Sequence, residues 1–128
     1  MIKSSNYISL HHGSLVVEEL DRALYFFCHI LGMQHNKQRP DMAFEGAWLD
    51  IGAQQIHLLK LPRTEFYPLS GAPEHAGRDR HLAIFVQDLD AIRKSLQEHQ
   101  IAYSMSRSGR QALFCRDPDG NGLEFIQK

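Results

Sequence analysis

Apolar positions change their spacing twice along this chain, and in the same way both times. Residues 7–17 (YISLHHGSLVV) are rich in β-branched and aromatic side chains and predict a strand. Leu20, Ala23, Leu24, Phe27, Ile30 and Leu31 then recur at helical spacing, which predicts a helix over 20–31. Gly32 follows, where the left-handed conformation that ends a helix is easiest to adopt. Short strands are expected at 33–39, 46–51 and 54–61, with GAQQ at 52–55 turning between the last two. The order then restarts: a strand over 80–87, a helix over 89–99 striped by Leu89, Ile92 and Leu96, and strands at 102–107, 111–116 and 122–127. Between the two runs, residues 62–79 hold Pro62, Pro68 and Pro73 with Gly71 and Gly77, the composition of an irregular connection. The reading is an α+β fold of two βαβββ units, 7–61 and 80–127, joined by a linker over 62–79.

The two units also share letters. HGSLVVEELD at 12–21 and HLAIFVQDLD at 81–90 both read His, two residues, an aliphatic, one residue, Val, one residue, an acid, Leu, Asp. The histidines are 69 positions apart. DIGAQQIHLL at 50–59 lies against DPDGNGLEFI at 117–126, which sets His57 against Glu124 at an offset of 67. Two matches at nearly one offset, in one element order, point to duplication, with a small length difference placed in the middle strands.

Strand side chains alternate between faces. Leu15 and Val17, Ile84 and Val86, Ile56 and Leu58, and Leu123 and Phe125 therefore meet the helices. His12, His57, His81 and Glu124 fall on the opposite face, each among apolar neighbours. Should the two units curl that face into a cup, three imidazoles and a carboxylate converge, a donor set for a divalent transition metal. His11, His29, His35, His75 and His99 lack this placement and read as structural or surface residues. DPDGNG at 117–122 imitates the opening of a calcium loop, but the twelfth position is Lys128 rather than glutamate, so it reads as a hairpin turn.

Bulk properties narrow the partners. A chain of 128 residues fits one compact domain, and a net charge of −1 gives no electrostatic case for nucleic acid or an anionic membrane. No apolar run is long enough to span a bilayer, and the N-terminus lacks the apolar core of a secretory signal. Cys28 and Cys115 show no metal-finger or redox spacing and read as reduced, half-buried packing residues, consistent with a cytoplasmic location.

The segments HHGSLVVEELDRALYFFCHILGM, QQIHLLKLP, RHLAIFVQDLD and LFCRDPDGNGLEF resemble the vicinal oxygen chelate superfamily, which includes glyoxalase I, fosfomycin-resistance proteins, bleomycin-binding proteins and extradiol dioxygenases. The resemblance covers nearly the whole chain. It implies paired βαβββ units forming an incomplete barrel around a metal, with ligands on the first and last strands of each unit. Carried over by motif, those positions are His12, His57, His81 and Glu124. It also implies a small-molecule substrate and a homodimer, with the site formed either within a chain or between chains. Two positions depart from glyoxalase I: His57 stands where a carboxylate or amide is usual, and Val16 stands where glutathione-using members carry an arginine.

The resemblance implies a metal-dependent lyase or isomerase of glyoxalase type, with glutathione dependence in doubt. One divalent ion (Zn, Ni, Mn, Co or Fe(II)) would hold two adjacent substrate oxygens, and Glu124 would serve as ligand and base. Two alternatives follow from the same likeness. One is an Fe(II) extradiol-type dioxygenase using His12, His81 and Glu124; the other is a metal-free, ligand-sequestering protein of bleomycin-resistance type. Trp48, Tyr103, Arg110 and Phe114 lie on segments that could border the cup.

Overall fold

The structure is a computed structural model and describes residues 1–62 and 71–128. It contains two four-stranded sheets built to one plan. In the first unit, β1 (His12–Val17) leads into a helix, α1 (Leu20–Leu24), followed by β2 (Gln34–Asn36), β3 (Gly46–Ile51) and β4 (Gln54–Lys60). In the second, β5 (His81–Val86) leads into α2 (Leu89–Glu98), then β6 (Tyr103–Met105), β7 (Ala112–Arg116) and β8 (Gly122–Gln127). The sheet orders are β1-β4-β3-β2 and β5-β8-β7-β6. Each first strand runs parallel to the last strand of its own unit, and the other pairings are antiparallel. A parallel pair cannot be closed by a hairpin, so the helix and two intervening strands supply the crossover. Of the linker expected over 62–79, residues 63–70 lie outside the described residues, and Ala76–Arg78 form a short 3₁₀ turn.

The first strand is shorter than the pattern suggests: residues 7–11 are exposed and do not pair. The first helix departs more. After Leu24 the chain widens into a π-turn over Tyr25–Ile30, with Leu31 N–H bonded to the carbonyl of Phe26. The π-turn accommodates an extra residue. From the helix start to its left-handed end, Leu20 to Gly32 (φ +73°) is one position longer than Leu89 to Gln100 (φ +58°). The bulge also turns both Phe26 and Phe27 into the core, where a regular helix would have buried one.

The same comparison locates the drift between the repeats. Asn36, Trp48 and His57 lie opposite one another in the first sheet, as Ser104, Phe114 and Glu124 do in the second. The helix accounts for one residue of drift and the connection between the second and third strands for two more. The turn before the last strand returns one. The length differences thus sit in the helix and the loops, not in the middle strands, whose pairing would be broken by an insertion.

One hydrophobic core serves both units. Val17, Phe27, Leu49 and Leu58 from the first join Leu96, Leu113, Leu123 and Phe125 from the second, all nearly inaccessible to solvent. The DPDGNG turn fastens the units together. Asp119 accepts hydrogen bonds from the backbone N–H of Glu18 (3.0 Å) and from Arg22 (3.1 Å). Asn121 donates to the carbonyl of Val16 at 3.0 Å. Ser95 on α2 donates to the carbonyl of Ile30 at 2.6 Å. Asp117 stabilises the turn from inside by accepting the N–H groups of Asp119 and Asn121. The hairpin reading of this segment holds, with its two aspartates buried while Pro118 stays exposed. Cys115 is fully buried, not half-buried, and its thiol is pushed up to about 12 by burial; burial also raises Cys28. Neither thiol is activated as a nucleophile. No helix among the described residues is long and apolar enough to cross a membrane.

Burial pushes Asp117 up to about 6, against the lowering effect of its hydrogen bonds with Asn121 and Asp119. Its folded pKa therefore exceeds the unfolded one, and the stability it contributes is full below the unfolded pKa of about 4 and lost as pH rises through 6. Chemical denaturation of wild type and Asp117→Asn across pH 4–8 should show their stability difference shifting against wild type by about 3 kcal/mol, levelling above pH 7. A difference independent of pH would show that Asp117 is ionised throughout.

Candidate functional site

Register places the sequence-nominated residues in two pairs. His12 is the first residue of β1 and lies opposite Gln55, while Ser14, two residues on, lies opposite His57. His12 and His57 therefore project from one face as diagonal neighbours, and their rings stack at 3.9 Å with 18° between planes. In the second unit His81 lies opposite Gly122, and Ala83 lies opposite Glu124. Again the diagonal pair meets: His81 Nε2 is 3.2 Å from Glu124 Oε1. Among the described residues, no three His, Cys, Asp or Glu side chains gather at a point able to hold a metal ion. Each unit of one chain thus presents half of the quartet.

In the first pair, His57 is fixed from both sides. Trp48, opposite it on β3, stacks on its outer face at 4.7 Å and 10°. Its Nε2 is 2.8 Å from Gln55 Oε1. Gln55 in turn donates through Nε2 to Asp50 at 3.2 Å, and Asn36 donates to the same carboxylate at 3.1 Å. These two hydrogen bonds hold Asp50 below the usual carboxylate range, so it only accepts. That orients the Gln55 amide with its oxygen toward His57. His57 must then donate through Nε2–H, which leaves the lone pair on Nδ1. Burial first, then the nearby His12, His11 and Arg39, lower the pKa of His57 and favour the neutral ring. His12 is exposed, and its Nδ1 meets Nδ1 of His11 at 2.7 Å, a contact in which one ring must donate.

The second pair is held more tightly. His81 Nδ1 lies 2.9 Å from the carbonyl oxygen of Asp79. A carbonyl only accepts, so Nδ1 carries the proton and donates. The Asp79 side chain is pinned by Arg116 at 2.9 Å, and it also accepts the N–H of Arg80, which together hold its carboxyl below the usual range. The remaining ring nitrogen of His81, with its lone pair, faces the Glu124 carboxylate. That nitrogen and the carboxylate oxygen stand 3.2 Å apart, both able to give an electron pair to a cation. Glu124 is only 3% exposed, and its other oxygen accepts from Arg110 at 2.7 Å. The ring of Phe114 stands edge-on to His81 at 5.7 Å.

Of the four cup-bordering candidates, Trp48, Arg110 and Phe114 each touch a member of a pair. Tyr103 does not: it lies opposite Cys115 on the helix-bearing side, and its hydroxyl accepts from Gln97 of α2. Gln55, Asp50 and Asp79 escape sequence reasoning. The signal available for Gln55 is a polar side chain two residues before His57 on the same strand face. Val16, at the position where an arginine would hold glutathione, is half-buried, and its carbonyl is taken by Asn121.

Residues 9–125 match the profile of the Glyoxalase/Bleomycin resistance protein/Dioxygenase superfamily. Glyoxylase I 4 of Arabidopsis thaliana is 31% identical over 122 residues, spanning 91% of this chain and 69% of that protein. A probable lactoylglutathione lyase of Synechocystis is 30% identical over 129 residues, spanning 92% and 94%. The crystal structure of a glyoxalase/dioxygenase from Nostoc punctiforme superposes with a TM-score of 0.76 at 20% identity, covering 100% of this chain and 96% of that one. At that identity the likeness establishes the fold.

In metal-free protein, His57 should titrate below the ordinary histidine range, with the neutral ring protonated at Nε2. Long-range proton–nitrogen spectra of the imidazoles read both properties directly. Gln55→Leu should remove the tautomer preference, and a ring that stays protonated at Nε2 in that variant would disprove the Asp50–Gln55 relay.

Proposed function

This chain belongs to the glyoxalase/bleomycin resistance protein/dioxygenase superfamily, and we propose that it is a divalent-metal-dependent lyase or isomerase of glyoxalase type. Its substrate is a small molecule with two neighbouring oxygens. The observation that carries this reading is the facing of the His81 lone pair and the Glu124 carboxylate, with the other ring nitrogen of His81 spent on the Asp79 carbonyl. Donation of the second N–H to a backbone carbonyl is the usual support of a metal-bound histidine. Three imidazoles and one carboxylate suit Zn, Ni, Mn, Co or Fe(II) alike.

Because one chain brings the four residues together only as pairs, the reading requires a cytoplasmic homodimer. His12 and His57 of one copy and His81 and Glu124 of a second would hold each ion. The open face of the pairs fits this: His12 and Ser14 are exposed, and Phe85, on the same face as Glu124, is 66% exposed. When bound, the ion would be held by those four side chains and would supply a Lewis acid for negative charge developing on the substrate. Glu124, shielded from water, is placed to take a proton at a carboxylate oxygen from the carbon beside those oxygens and return it to the neighbouring one. Arg110 orients that carboxylate by donating to its second oxygen. Trp48 and the Gln55 relay keep the His57 ring from turning away. Val16 in place of a cation argues against glutathione as the carrier of the substrate.

The test is complementation between two defective chains. The His12→Ala/His57→Ala double variant and the His81→Ala/Glu124→Ala double variant should each be metal-free by elemental analysis. Mixed in equal amounts under exchange conditions, they should regain about one ion per mixed dimer, roughly half an ion per dimer over the whole sample, because each mixed dimer rebuilds one whole site. No recovery would refute the shared site, and an empty wild type after exposure to all five metals would refute the metal reading itself. On a substrate turned over by wild type, Glu124→Gln should lose about 10²- to 10⁴-fold in kcat, the range of a lost general base.

A further inference from the structure

Beside the His81–Glu124 pair lies a cleft of about 710 Å³ that the proposed chemistry does not use. One wall is the loop SRSGR at 106–110, which presents Arg107 and Arg110. The other is the 3₁₀ turn at Ala76–Arg78, which presents Arg78. The ring of Phe114 forms part of the lining and is in contact with both His75 (4.7 Å) and His81 (5.7 Å). Among the described residues, three arginines therefore line one space, against a single lining carboxylate, Glu74.

Such an accumulation needs a reason, because the chain as a whole is close to neutral. Like charges crowded into a concavity repel one another, and the low-dielectric walls strengthen the field inside. Arg110 is partly neutralised by Glu124 at 2.7 Å. Arg78 and Arg107 have no side-chain partner among the described residues, and both are exposed. Hydroxyl donors accompany them: Ser104, Ser106 and Ser108 line the cleft, with Ser106 and Ser108 joined at 2.9 Å. The cleft's shape is built in at Gly77, where a Cβ would stand 2.8 Å from the Phe114 ring and 3.0 Å from His75. Only a glycine lets the turn bearing Arg78 lie this close to the aromatic floor. The comparable space near β1 and β5, about 530 Å³, is lined by Asp79 and Asp119 as well as Arg80, so the positive bias belongs to this cleft.

We propose that this cleft binds the anionic end, a carboxylate or a phosphate, of the small molecule on which the neighbouring pair acts. The guanidinium fork and the serine hydroxyls match the planar or tetrahedral oxygens of such a group. The affinity for anions stands on the cleft's own residues; that the anion is the tail of the substrate rests on the proposed function. The placement gives that tail a direction. It extends from Glu124 past Phe114 toward Arg78 and Arg107, away from Val16, where the relatives that use glutathione have their cation.

The test uses metal-free full-length protein and three probes of one shape: benzoate, phenyl phosphate and benzyl alcohol. Nitrogen-resolved spectra of the arginine Nε–H groups and calorimetry read the binding. Benzoate or phenyl phosphate should bind and shift the Arg107 and Arg78 signals, and benzyl alcohol should bind far more weakly; the stronger anion identifies the group. Arg78→Ala and Arg107→Ala should each weaken the anion by about tenfold, the size expected for one charge-assisted hydrogen bond. Both side chains are exposed, and unchanged melting temperatures and metal content would show that the variants fold and keep their half-sites. Equal binding of the neutral and anionic probes, or full affinity in the double variant, would overturn the inference. Anion binding by a protein that takes up no metal would uphold the cleft and sink the proposed function. Metal uptake without anion binding would do the reverse.

Discussion

Everything about the candidate site follows from the parallel pairing of the first and last strand in each unit. A parallel ladder fixes which residue of one strand stands beside which residue of the other, and alternation fixes the face. The first residue of the leading strand then meets, on the diagonal, the residue two steps into the register of the closing strand. In one unit that geometry stacks His12 on His57; in the other it sets His81 against Glu124. Sliding either ladder by one position would send a polar residue into the core and lift an apolar one out of it. The hydrophobic pattern that makes the fold stable is thus also what aligns the polar pairs.

The two copies of the plan have diverged chemically while keeping this alignment. The first carries a pair of imidazoles, with the His57 ring orientation set by an indole on one side and an amide relay ending in Asp50 on the other. The second carries a carboxylate that is nearly inaccessible, between an imidazole and a guanidinium, with the surrounding cleft tilted toward positive charge.

Much of the fold was legible because period and turn chemistry are local. Strands at 46–51 and 122–127 have the bounds the alternation gives, and Gly32 adopts the left-handed conformation that its place after Leu31 requires. The pairing of His12 with His57 and of His81 with Glu124 on one face was legible too, since the repeat supplied the register that a single strand does not. What was not legible depends on distance across the sheet or on length. Tyr103, named among candidates to border the cup, lies on an edge strand of only three residues, too few for alternation to decide its face. The Asp50–Gln55 relay needs the hairpin register, and the arginine cleft joins the turn before β5 to the separate loop between β6 and β7. The π-turn hid because Phe26, Phe27, Cys28 and Ile30 are apolar in close succession, so the helical stripe read equally well with or without an extra position.

That π-turn has a consequence for the history of the molecule. An insertion in a packed helix ordinarily rotates everything beyond it by about 100° relative to the core, a change few interiors tolerate. Here the added residue is folded into a wider coil, and the phase is recovered before Gly32. The two halves therefore differ by one residue in the helix without any shift in how their strands pair. The strands that carry the polar pairs never had to record the change. Two halves that must meet at one site can in this way accumulate different ancestries of insertion, and remain superposable where it matters.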